Sequence, residues 1–222
     1  MKMNFKEITS FVIIGILIIT ILLPTMNVPT QAINGSSTLG NDTEYWAYIV
    51  GVGEYAENPM QNRPDMLTEV NDFKDALLQS SWWSEDHIKM VTAEDATRHN
   101  ILAGFRWLNS VVSSDDMVVV YLTTHGNHLN FDIPPFDEED KEDEMLVSYW
   151  GFSINTLFIT DDQINIMLNQ LKSNNVCLIV DSCYAGGFND HYKLLKSASE
   201  QQRVILMASC EDEVSYSGGF GP

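Results

Sequence analysis

Two apolar runs in this 222-residue chain end in side chains that can do covalent chemistry. Met117–Thr123 leads into Thr124-His125-Gly126. Val176–Val180 leads into Asp181-Ser182-Cys183, with Gly186 and Gly187 close behind. A cysteine attacks a carbonyl as its thiolate, and a nearby imidazole can take the proton or pair with the anion. The backbone N–H groups of Gly126 and Cys183 could together hold the oxyanion of an acyl intermediate. Gly186 and Gly187 are expected to leave room for a substrate chain. A lone strand-end cysteine or histidine is usually a packing or surface residue. Both at strand ends with glycine nearby fit a Cys183–His125 dyad better.

Other candidates fall away on spacing. Ser182 lacks the G-x-S-x-G elbow of a serine hydrolase. His125 and His128 form an H-x-x-H pair without a further histidine or cysteine ligand, which excludes zinc. Cys177 sits inside its strand and reads as core, and Cys210, at the end of the fifth strand, reads as packed. Three cysteines in this spacing form no disulfide framework.

The elements that must position the pair alternate between strand and helix. Tyr45–Val52 reads as a buried strand, followed by a helix with Leu67, Val70, Phe73, Leu77 and Leu78 at helical spacing. A short strand follows at His87–Thr92. Thr97 caps a helix that buries Ile101, Leu102, Phe105 and Leu108. Met117–Thr123 is the third strand, and Thr160 or Asp161 opens a helix with Ile164, Leu168 and Leu171 inward. Val176–Val180, an exposed helix over 191–201 and a fifth strand at Arg203–Ser209 complete the pattern. Strands apolar on both faces and separated by helices call for a doubly wound, mostly parallel α/β sheet covered on both sides, a three-layer sandwich. In such sheets the working crevice lies beyond the carboxyl ends of the strands, where His125 and Cys183 stand.

Residues 1–32 stand apart. Two lysines precede the uncharged run Phe11–Leu23, and Thr30-Gln31-Ala32 offers a small-residue cleavage site. The segment reads as an export signal or as an uncleaved N-terminal anchor, which puts the rest of the chain outside the cytoplasm or in the cell envelope. Residues 33–44 read as a polar linker with sequons at Asn34 and Asn41, and 45–222 as the main domain. The formal charge of −19 excludes nucleic acid and anionic membrane surfaces as partners, leaving cations or basic peptides. The acidic run Asp137–Glu144 reads as a largely solvated loop.

The segments "YLTTHG" and "DSCYAGG" resemble the histidine and cysteine motifs of caspase-like cysteine peptidases, most closely the metacaspases and their prokaryotic relatives. The resemblance spans about Tyr45 to Ser217, and the histidine-before-cysteine order matches. The cysteine motif departs from the caspase Q-A-C pattern. The resemblance implies a caspase-like fold and hydrolysis after Arg or Lys, with Asp181 and Asp72 as the carboxylates that receive the basic side chain. It also implies activation by calcium held by Asp143, Asp161, Asp162 and Asp190. Relatives continue past "SYSGGFGP", so the C-terminal part of the domain is expected to be missing. Two alternatives stay open, a legumain-like peptidase cutting after Asn or Asp and a non-catalytic interaction domain on the same fold.

Overall fold

The computed structural model describes residues 43–134, 141–154, 157–188 and 202–215. Its frame is a five-stranded parallel sheet of β1 (Tyr45–Gly51), β2 (Ile88–Thr92), β3 (Met117–Thr123), β7 (Asn175–Asp181) and β8 (Gln202–Met207), in the order β2-β1-β3-β7-β8. Strand β2 lies on one side of β1, and the chain then crosses to place β3 on the other side. The topological switch therefore lies between β1 and β3, the place where open α/β sheets bind ligands.

Helices lie on both faces of the sheet, as the strand composition requires. Helix α1 (Pro64–Leu78) enters through a proline in its first turn and packs Val70 and Leu77 on Ala47, Ile49 and Tyr121. On the opposite face, α2 (Arg98–Val111) and α3 (Asp161–Asn169) bury Ile101, Phe105, Leu108, Ile164 and Leu168 against Tyr48, Val50, Val118, Val120 and Leu178. Each of these two helices starts at a threonine whose hydroxyl accepts a first-turn N–H, Thr97 from Asn100 and Thr160 from Gln163. Each large apolar side chain removed from water here contributes about 1.5–3 kcal/mol before its ordering cost.

A second sheet was not anticipated. Strands β4 (Gly126–Leu129), β5 (Asp143–Val147) and β6 (Phe158–Thr160) pair antiparallel in the order β4-β5-β6. This corrects the reading of the acidic run. Its last two residues, Asp143 and Glu144, are 1% and 2% exposed because they open β5 rather than hang in a loop. Residues 135–140, 1–42 and the expected helix at 191–201 lie outside the described residues. Among the described residues no helix is long and apolar enough to cross a membrane.

Candidate active site

Strands β3 and β7 are neighbours, and their register decides where the two motifs go. Thr123 pairs with Asp181, and the Thr124 N–H continues the ladder to the Asp181 carbonyl at 3.3 Å. His125 and Cys183 each lie two residues past that pair, on the same rim of the sheet. Their backbones meet there, since a Cβ on Gly126 would overlap the Cys183 carbonyl oxygen. Gly126 is thus required by close approach.

The cysteine loop is held from three sides. Ala185 and Phe188 are buried in the core. Tyr184 adopts a left-handed backbone (φ 58°), uncommon for a bulky residue, and its N–H reaches the Glu213 carbonyl at 2.8 Å. Ser209 Oγ accepts the Ala185 N–H at 3.0 Å and donates to the Ser182 carbonyl at 3.1 Å. The half-buried Cys183 Sγ lies 3.5 Å from the Ser215 carbonyl.

His125 is oriented by its other nitrogen. Nε2 stands 2.9 Å from the Gln61 carbonyl, which can only accept, so Nε2 carries the proton and Nδ1 keeps its lone pair. Burial pushes the imidazole below its ordinary value of 6.5, the Gln61 bond opposes this, and the positive Arg63 adds to it. The imidazole is therefore neutral at neutral pH and able to accept a proton. The Val147 N–H donates to the His125 carbonyl at 2.9 Å, marking 125 and 147 as a hydrogen-bonded pair. The next pair, Gly126 and Leu146, is then the non-bonded type, and the Gly126 N–H points away from β5.

Below the rim on the α1 face lies a group of carboxyls. Asp181 is largely buried, which raises its pKa; a hydrogen bond from the Tyr121 hydroxyl opposes the rise and nearby Asp65 adds to it. Asp65, Glu69 and Asp72 follow one another on one face of α1. Glu69 faces Asp181 and its carboxyl is pushed up to about 7, by burial first and then by Asp181, Asp65 and Asp72. Asp72, singled out from the sequence, is exposed at the edge of this group. Sequence reasoning missed Glu69 and Asp65, although their spacing from Asp72 carried the signal. On the other side of the cysteine loop, a cavity of about 580 Å³ is lined by His128, Glu142, Glu144, Tyr184, Glu211 and Asp212.

Asp143 accepts the Ile133 N–H at 2.5 Å at the start of β5, and Asp161 and Asp162 fill the first turn of α3 directly after β6. These are buried hard oxygen donors, the type calcium takes. Among the described residues, however, no three His, Cys, Asp or Glu side chains are placed to hold a metal, and Asp190 lies outside them.

Two readings need correction. Gly186 and Gly187 do not clear space for substrate, because a Cβ on Gly186 would overlap the backbone at Glu211, and one on Gly187 the carboxylate of Glu144. Their space is taken by the protein itself. Cys210 is exposed in the turn past β8 rather than packed.

Residues 54–192 match the family model described as the metacaspase, peptidase C14 domain, which is more than half of the chain. The chain belongs to the metacaspase family. The match runs through both motifs and the α1 carboxyls. It makes the parallel sheet with helices on both faces a caspase-like fold and places the chain among the caspase-like cysteine peptidases. The crystal structure of protein GSU0716 from Geobacter sulfurreducens is similar at 14% identity with a TM-score of 0.47; the match covers 63% of this metacaspase and 50% of that chain. No curated protein matches.

Proposed function

We propose that this metacaspase is an exported cysteine endopeptidase that cuts after Arg or Lys through Cys183 and His125. The observation that supports the reading is the β3–β7 register, which brings residues 125 and 183 to one rim with the Gly126 and Cys183 backbones in contact. His125 Nδ1 takes the thiol proton as Sγ bonds to the scissile carbonyl carbon. The oxyanion settles on the N–H groups of Gly126 and Cys183. Collapse breaks the C–N bond, and the departing amine takes its proton from His125. Water, deprotonated by the same imidazole, then hydrolyses the thioester and returns the thiol.

The preference for a basic residue is supported by Asp181, Glu69, Asp65 and Asp72 beneath the nucleophile. A guanidinium or ammonium placed among them makes charge-assisted hydrogen bonds and relieves their mutual repulsion. An acidic substrate residue would meet only like charge, which speaks against the legumain-like alternative for aspartate.

Calcium is proposed as an activator. The candidate ligands are Asp143, Asp161, Asp162 and Asp190, and binding would have to draw their carboxylates together, supplying charge neutralisation where β5 meets α3. The leader composition is what supports export.

Fluorogenic peptides carrying Arg, Lys, Asn or Asp at the cleavage position, with calcium or with chelator, test these points together. Cleavage of the Arg and Lys peptides alone, lost with chelator, is expected. Cleavage after Asn alone would overturn the basic pocket, and equal rates with chelator would overturn the calcium reading.

A further inference from the structure

We propose that Tyr55 is a positioning residue for the dyad, fixing His125 through both its hydroxyl and its ring. The inference rests on reading Cys183 and His125 as the reacting pair. Tyr55 lies in the loop between β1 and α1, outside every motif that the sequence offers.

The directions of its hydrogen bonds are determined. Thr124 Oγ1 donates to the Val147 carbonyl at 2.6 Å, which uses its one proton. In the 2.9 Å contact between the Tyr55 and Thr124 hydroxyls, Tyr55 is therefore the donor. The Tyr55 oxygen in turn accepts the His125 backbone N–H at 2.9 Å. With the Val147 N–H returning to the His125 carbonyl, four residues close a ring of bonds. An ordinary antiparallel pair would exchange two direct bonds. Here two hydroxyls are inserted into one of them, and they set where His125 stands relative to β5. Tyr55 and Thr124 are each 3% exposed, so losing either hydroxyl leaves buried partners unpaired.

The ring works on the imidazole itself. The Tyr55 ring centroid is 5.1 Å from that of His125 and 5.0 Å from Phe152, and Phe152 is 5.6 Å from His125. The Tyr55 N–H binds Asn62 Oδ1 at 3.0 Å, next to the Gln61 carbonyl that holds Nε2. One connection thus holds His125 by its backbone, its ring face and its far nitrogen. Burial raises the pKa of the Tyr55 hydroxyl, which keeps it a proton donor across the working pH range.

The test uses the full-length protein and an arginyl peptide, with Tyr55→Phe, which keeps the ring, and Thr124→Val, which removes the relay from its other end. Both are expected to lower kcat by about 10- to 100-fold with KM held within about two-fold, as for a misplaced reacting group. Both should also move the low-pH limb of the rate upward. A loosened imidazole is better hydrated, while the charged and titratable groups around it, Arg63, Cys183 and Tyr55 or its replacement, bring no new negative charge. Thr124→Ser, which restores the hydroxyl, is expected to recover most of the rate. An unchanged kcat in both variants, or a change confined to KM, while Cys183→Ala is inactive, would overturn the role of Tyr55 and leave the dyad standing. Cleavage by Cys183→Ala would overturn the dyad itself. If Tyr55→Phe fails to fold, the isosteric Thr124→Val decides by the same criteria.

Discussion

Replacing Glu69 with glutamine should make the protein more stable at pH 8 and a poorer peptidase. Glu69 is pushed up to about 7 from its ordinary 4.5, by burial first and then by the charges of Asp181, Asp65 and Asp72. The folded state therefore keeps a proton that the unfolded state releases. The stability from this group is complete below about pH 4.5 and is lost as pH rises through 7. For a fully dry group that difference is about 3 kcal/mol. Glu69 is only half-buried, and solvent screening reduces the expected effect to about 1–2 kcal/mol. Glutamine keeps the shape and removes the charge. Urea unfolding followed by tryptophan fluorescence should show the variant more stable by that amount at pH 8, and by roughly a quarter of it at pH 5. The same variant should bind arginyl peptides less tightly, since one partner of the guanidinium is gone. A stability change that is absent, or equal at the two pH values, would refute the placement of Glu69 opposite Asp181.

The remaining expectations concern the proposed basic pocket and His125. Asp181→Asn should reduce kcat/KM for arginyl peptides by about 10- to 100-fold, the worth of one charge-assisted hydrogen bond in a buried site, with the loss seen mainly in KM. Because burial and Arg63 depress the His125 pKa, the rate of the wild-type protein should persist below pH 6.5 before the imidazole protonates and the acid limb falls. An acid limb centred above 6.5 would contradict the buried, Gln61-bonded imidazole.

The sequence placed His125 and Cys183 on one rim because a strand-end pattern is local. An apolar run that stops at His-Gly or at Asp-Ser-Cys is visible in a few residues, and a parallel sheet needs only adjacent strands to join them. Three features escaped for physical reasons. Strands β4, β5 and β6 have four, five and three residues, too few for alternation to register, and β5 begins with Asp143 and Glu144, which composition assigns to solvent. The Gln61 carbonyl is a backbone group and leaves no trace in residue type. A glycine pair looks the same whether substrate or the chain's own Glu144 and Glu211 fill the space beside it. Glu69 was legible in principle, because Asp65, Glu69 and Asp72 share one face of α1.

The central claim is that Cys183 is the nucleophile of a basic-specific peptidase. It is tested most directly by incubating wild-type and Cys183→Ala protein with an arginyl fluorogenic peptide. The account predicts cleavage by the wild type, none above background by the variant, and the same melting temperature for both within about 2 °C. Equal cleavage by the two proteins would contradict it.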